Sequence, residues 1–195
     1  MIDEILDVVD QNDKVIGTEK RSVVHQTGVW HRGIHIFVFN PNGKLVVQMR
    51  GKDQDKYPSA LDCSVSEHLQ FNENYLNGAL RGLNEELGLN ISANKLRPLV
   101  KFKMRYGDMD NMISKFFEIK LESEMNVTIS PEGKPIYYYE IQELTKMIHE
   151  GSAPFSYWFT QLLCYYTEKP CDMEIIEKHL LHQQFGKEGK YGNTN

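Results

Sequence analysis

The order of segments predicts an α+β fold, a mixed β-sheet with helices packed on it, rather than a doubly wound α/β sheet. Three observations carry that reading. Short β-type runs fill the N-terminal third of the 195 residues, one helical segment interrupts them at about residues 74–88, and the other helical segments cluster after residue 140. EILDVVD opens the chain, and NDK supplies a turn before VIGTEK. GIHIFVFN and KLVVQMR read as a hairpin with Asn42-Gly43 at the turn. Within the first of these, Ile34, Ile36 and Val38 alternate with His35, Phe37 and Phe39, so both faces are predicted to be largely buried.

LDCSVS is predicted to be a further strand ahead of the helix. RPLVKFKMRY and ISKFFEIKL are strand-like on either side of the polar loop GDMDNM, and PIYYYE is a short aromatic strand. IQELTKMIHEG predicts a helix stopped by Gly151, and PFSYWFTQLLCYY a second. DMEIIEKHLLHQQFG predicts a third, capped by Asp172, before the polar, glycine-rich tail KEGKYGNTN. The division is thus one domain over residues 1–167 and a C-terminal helical extension with its tail over 168–195. That added helix packs on the domain or across a homodimer.

Composition narrows the class. With 41% hydrophobic and 25% charged residues the chain is that of an ordinary globular protein. A net charge of −5 argues against nucleic acid as partner, while leaving room for a small basic pocket. Cys63, Cys164 and Cys171 are odd in number and lack zinc-site spacing, which suits a reducing cytoplasm. MIDEILDVVD does not read as a signal peptide, and the longest obvious apolar run, IHIFVF, is far too short to span a membrane.

The stretch ENYLNGALRGLNEELGL places Gly82 mid-helix, at a cost of roughly 1 kcal/mol relative to alanine. Arg81 and Glu85 share a face and Glu86 lies beside them. Hard divalent ions use one or two carboxylates together with substrate phosphates. From the glutamate pair alone, a solvated acidic helix end is the favoured reading.

The surroundings change that weighing. SEHLQFNENYLNGALRGLNEELGL resembles the box of the Nudix hydrolase family: a glycine, five residues, a glutamate, seven residues, then Arg-Glu-apolar-any-Glu-Glu-any-Gly-apolar. Glu73 falls at the first glutamate, and Arg81, Leu83, Glu85, Glu86, Gly88 and Leu89 match at the correct spacing. Glu67 stands in place of the opening glycine, and Gly82 in place of a glutamate that ligates metal in the family. The resemblance covers about residues 3–165 and is to the isopentenyl-diphosphate-isomerase-like branch. Trp30-His31-Arg32 matches that branch fully and Tyr57-Pro58-Ser59-Ala60-Leu61-Asp62 in part. It implies the Nudix fold, a mixed sheet sandwiched between helices, here with an extra C-terminal helix.

Isomerases of that branch hold a metal through histidines and glutamates and move protons with a cysteine, a glutamate and a tyrosine. His31 and His68 fall in histidine slots, and His25 is near a third but with one residue fewer between it and His31. Hydrogen bonding that fixes local geometry is the favoured role for His31 and His68, which join Arg50 in the expected substrate-binding set. Ser66 fills the cysteine slot, Cys63 lies three residues earlier, and Asn111, Met112 and Ile113 stand where isomerase glutamates belong. Isomerase activity is therefore disfavoured.

Hydrolysis asks for less, because positioning and charge neutralisation do most of the work. The resemblance implies Mg²⁺ (or Mn²⁺) held by Glu85 and Glu86, the catalytic pair; with Met112 where relatives often carry a further glutamate, Glu132, Asp108 and Asp110 are the candidate further donors. Glu73 and Arg81 are expected to form a supporting ion pair. The expected function is a Mg²⁺-dependent hydrolase of a nucleoside or isoprenoid diphosphate, of low turnover. The alternative is a non-catalytic Nudix module that binds a phosphorylated ligand or a protein partner. Aromatics over Pro154–Tyr166 wall the pocket or simply fill the core, and His179 and His182 lie three apart on the added helix.

Overall fold

The alternation in GIHIFVFN sets the plan of the molecule. The computed structural model describes residues 3–54, 56–107, 109–123 and 129–179. Strand β3 (Trp30–Phe39) runs through its centre. Ile34, Ile36 and Val38 face a core completed by Ala79, Leu83 and Leu87 of helix α2 (Tyr75–Leu87). Phe37 and Phe39 face a second core built with Leu144 of α3 (Ile141–Glu150) and Phe159, Leu162 and Leu163 of α4 (Tyr157–Tyr166). The sheet is thus sandwiched, α2 on one face and α3 with α4 on the other.

Strands β1 (Ile5–Val9), β2 (Val15–Lys20), β7 (Arg97–Arg105) and β8 (Asn111–Lys120) extend the sheet on either side of β3. The main path runs β10-β7-β8-β3-β1-β2, with β10 (Glu174–Lys178) at one end. β3 and β8 pair in parallel, and the other pairings are antiparallel. β4 (Leu45–Met49) joins β3 to the short strands β5 (Leu61–Asp62) and β9 (Ile136–Tyr139), while β6 (Val65–His68) pairs with β3. No helix among the described residues is long and apolar enough to cross a membrane.

Helix limits follow local chemistry. Asn74 caps α2 by accepting from the Asn77 amide at 2.9 Å, and Gly88 closes it in the left-handed region at φ 68°. Ser156 caps α4, and Glu140 with Glu143 forms a reciprocal box at the start of α3.

Three elements differ from expectation. The helix expected from residue 172 is not formed over the described residues: Glu174–Lys178 is a strand on the outer edge of β7. Ile175 pairs with Phe102 and packs on the core, and Lys103 binds Glu174 at 2.7 Å, so an open sheet edge outweighs helix propensity. Asp172, the expected cap, instead accepts from the Tyr157 hydroxyl at 2.6 Å. The rest of that expected helix, His182 included, lies outside the described residues. LDCSVS forms two strands, broken at Cys63-Ser64, rather than one. A short helix that the sequence did not announce, α1 (Arg21–Thr27), follows β2 and ends at Gly28.

Candidate functional site

Antiparallel pairing of β3 with β6 sets His35 opposite Ser66, Ile34 opposite Glu67 and Gly33 opposite His68. α1 brings His25 over the same end of these strands. Ligand atoms of His25, His31 and His68 all lie within 4.8 Å of one another, and the Nε2 atoms of His25 and His68 are 3.2 Å apart. Burial pulls the pKa of each down, that of His31 to about 4, so the imidazoles are neutral at ordinary pH. Neutral imidazoles are ligands for first-row divalent metals.

One further group completes that cluster. Asp110 Oδ1 lies 3.7 Å from His31 Nε2, and both atoms are buried without a hydrogen-bond partner. The other Asp110 oxygen accepts from Lys56 at 2.8 Å. Orphaned atoms of this kind, facing each other across a gap, fit a cation. His25, His31, His68 and Asp110 are therefore one set that could hold a metal. The expected hydrogen-bonding role for His31 is only partly met, by a contact of 3.3 Å from Nδ1 to the Val29 carbonyl.

The second set centres on α2. Glu86 is 3% exposed and accepts from Gln48 Nε2 at 2.7 Å, the Ser66 amide at 3.1 Å and Lys134 Nζ at 3.1 Å. Lys134 also binds Glu132 at 2.7 Å, so one ammonium joins two of the expected metal ligands. Burial pulls that ammonium down in pKa, but the two carboxylates outweigh it and leave it raised. Glu85 turns the other way: it is about half exposed, pairs with Arg81 at 2.7 Å and does not line the cavity described below. Arg81 meets Glu73 through two bonds, at 2.9 and 3.0 Å, and donates to the His68 carbonyl at 2.8 Å, tying the loop before α2 to the helix.

Glu67 was not among the expected site residues, yet it lies beside Glu86. Burial pushes its pKa up to about 9, with the Glu86 charge adding to the effect. Burial likewise raises Glu86, against the pull of Lys134 and the surrounding donors. Two acids pressed together here want a proton or a cation between them.

These groups border an open cavity of about 340 Å³. Arg21, Arg50, Lys56 and Lys134 give it positive charge, Glu67, His68 and Asp110 give it ligands, and Tyr106, Met112 and Trp158 give it an apolar wall. Arg50 is fixed by Asp62 at 2.9 Å and lies over the Trp158 ring at 4.9 Å. Ser66 donates to or accepts from His35 Nδ1 at 3.0 Å, and His35 Nε2 meets the Tyr106 hydroxyl at 3.2 Å. Cys63 is no substitute for a thiol at position 66: it is buried, its sulfur is bonded to the Val65 carbonyl, and burial pushes its pKa up. Asp108, the remaining expected donor, lies outside the described residues.

Several of these residues gave no signal in the sequence. Gln48 sits in an ordinary strand and Lys134 in an ordinary turn, and only chain folding brings them to Glu86. His25, near a histidine slot but with one residue fewer before His31, is placed beside His31 and His68 by α1.

Comparison with known proteins adds the following. A NUDIX domain model matches residues 29–159. An uncharacterized Nudix hydrolase of Nostoc sp. is 31% identical over 149 residues, 76% of this chain and 87% of that protein. An isopentenyl-diphosphate Delta-isomerase of Serratia proteamaculans is 27% identical over 172 residues, 83% of this chain and 90% of that protein. Among solved structures, a Deinococcus radiodurans protein superposes with a TM-score of 0.68 at 24% identity, covering 83% of this chain and 98% of its own. A NUDIX hydrolase from Alicyclobacillus acidocaldarius does so with a TM-score of 0.57 at 11% identity, covering 72% and 92%.

Proposed function

The chain belongs to the Nudix family, and from that premise we propose that it is a divalent-metal-dependent hydrolase of a diphosphate linkage in a small phosphorylated metabolite. The observation that carries this is the cavity in which Arg21, Arg50, Lys56 and Lys134 meet Glu67, His68 and Asp110. Basic side chains converging beside oxygen and nitrogen ligands suit a ligand with several anionic oxygens.

The roles divide by position. Arg50, held in place by Asp62, and Lys56, anchored on Asp110, bind diphosphate oxygens. Tyr106, Met112 and Trp158 receive the organic part, which the cavity volume of about 340 Å³ limits to a small group. Glu86 is fixed from three sides and lines a small pocket beside the cavity that shares Arg50, Ser66 and Lys134 with it. A divalent cation, when bound, supplies neutralisation of phosphate charge that the basic side chains alone leave incomplete. Glu85 reaches the cavity only by leaving Arg81. An isomerase reading would need a thiol acid where Ser66 offers a hydroxyl bonded to His35. In type, the likeness to an isopentenyl-diphosphate Delta-isomerase favours isoprenoid over nucleoside diphosphates as first substrates to try.

One observation favours the non-catalytic alternative. Lys134 pairs with Glu86 at 3.1 Å and occupies one of the directions from which a metal would approach it. Phosphate release from isoprenoid and nucleoside diphosphates with Mg²⁺ or Mn²⁺ separates the two. Activity that Glu86→Gln reduces at least about a hundredfold, on the scale of losing an essential electrostatic group, supports the hydrolase. Silence of the wild type on the whole panel, with diphosphate binding retained, overturns it in favour of the binding module.

A further inference from the structure

We propose that Glu67 is a divalent-cation ligand that enters the cavity from β6, through the volume a side chain at position 82 would otherwise fill, and that glycine at 82 leaves it that room. The idea rests on the hydrolase reading of the site and assigns it a ligand.

The argument is one of space. Gly82 is buried in the interior of α2, and its φ is not in the left-handed region, so the backbone there does not call for glycine. A Cβ on residue 82 would come within 2.9 Å of Val65 Cγ1 and 3.1 Å of Glu67 Cγ. Val65 is stiff at χ1 and fully buried, so it does not yield. The stem of Glu67 thus lies across the bare helix backbone, and its carboxyl group reaches Glu86, with Arg81 Nη1 at 3.5 Å. Two carboxyl groups, Glu67 from the sheet on the cavity wall and Glu86 from the helix in the small pocket beside it, then converge. Residues 67 and 82 compete for one volume, so one of them can carry an acid into it and the other must stay small.

An acidic pair alone is an ordinary surface feature. Here a second observation points to a ligand: Gln48 is 2% exposed, lines the same small pocket as Glu86, and has its Oε1 buried with no hydrogen-bond partner. The Gln48 amide nitrogen donates to Glu86 at 2.7 Å. Carboxylate and carbonyl oxygens gathered without enough donors form the environment that Mg²⁺ prefers, together with water and phosphate oxygens.

The test is Mg²⁺ binding to the full chain by calorimetry, with the Mg²⁺-induced rise in Tm as a second readout. Mg²⁺ is used because it takes oxygen ligands and leaves the histidine cluster aside. Wild type is compared with Glu67→Gln, Gly82→Glu and the exchange Glu67→Gly/Gly82→Glu. The expected result is an affinity loss of about tenfold or more for Glu67→Gln, as metal sites show on losing a supporting group. Gly82→Glu alone lowers Tm, and the exchange recovers Mg²⁺ affinity together with the part of the Tm loss that Glu67 causes, the contact with Val65 remaining. Unchanged affinity in Glu67→Gln, or an exchange no better than either single variant, overturns the proposal. If Gly82→Glu does not fold, Glu67→Gln decides by itself. Mg²⁺ binding that depends on Glu67 without any diphosphate cleavage upholds the ligand and removes the hydrolase reading. Cleavage with Mg²⁺ binding indifferent to Glu67 overturns the ligand and leaves the hydrolase.

Discussion

Replacing Asp62 tests whether the cavity wall is held by one buried carboxylate. Asp62 is 5% exposed and collects donors from four directions. Arg50 Nη1 meets Oδ2 at 2.9 Å, while Ser156 Oγ, Trp158 Nε1 and the Cys63 amide reach Oδ1 at 2.9, 2.7 and 2.8 Å. The residue therefore ties β5 to the start of α4 and fixes both Arg50 and Trp158. Asp62→Ala removes one partner of a buried ion pair, which costs roughly 3–5 kcal/mol. Arg50 retains 18% exposure and the Lys56 carbonyl, which favours the low end of that range. Trp158 Nε1 and the Cys63 amide lose their acceptor, which pushes the cost back up. A net loss of about 4 kcal/mol corresponds to a Tm drop of about 8–16 °C in a domain of this size. Asp62→Asn keeps the Oδ1 acceptor for Ser156, Trp158 and the Cys63 amide but turns an amide donor toward Arg50, so it costs less than Asp62→Ala only by what those donors lose in the alanine variant. Urea unfolding read by Trp fluorescence and far-UV circular dichroism measures both, with an unchanged m-value confirming that only stability moved. The reasoning is refuted if Asp62→Ala lies within about 1 kcal/mol of wild type, the typical effect of an ordinary substitution, or if the two variants are equal.

Two more predictions concern the same region. Gly82→Ala gains roughly 1 kcal/mol of helix propensity but overpacks against Val65, at a typical cost of 1–3 kcal/mol. The variant is expected to be no more stable than wild type, and its cost should shrink when Val65→Ala is added; a clear rise in Tm for Gly82→Ala alone would contradict the packing argument. The second is a pH dependence. Burial holds His35 near pKa 3 in the folded state against 6.5 when unfolded. Between those values the unfolded chain binds the extra proton, so the stability His35 contributes is fully present above pH 6.5 and is lost as pH falls toward 3. Unfolding free energy measured from pH 7.5 down to 4.5 should fall less steeply in His35→Gln than in wild type, and parallel slopes would sink the assignment.

The sequence by itself determined the local architecture. Asn74 and Gly88 bound α2, Gly151 ends α3, and the two-sided alternation of β3 requires cores on both faces of the sheet. These features depend on neighbours a few residues away, so they are written in the chain. The spacing of Glu73, Arg81, Glu85 and Glu86 was legible for the same reason: one loop and one helix carry all four. That spacing could not say which way each glutamate faces. The i,i+4 spacing set Glu85 beside Arg81, but only the tertiary structure left Glu85 half exposed and buried Glu86 under Gln48 and Lys134.

The remaining decisions were also made at long range. His25 joins His31 and His68 because it is carried on α1, a helix the sequence did not announce. Glu174–Lys178 becomes a strand because the edge of β7 offers unpaired backbone groups, whatever its own residues prefer. Gly82 read as a vacancy in a helix, and in the fold its space is taken by Val65 and Glu67 from the neighbouring strand. Pattern along a chain records which residues share a face. Which residue from elsewhere fills the space above that face is a matter of packing, and packing is settled only when the sheet and the helix meet.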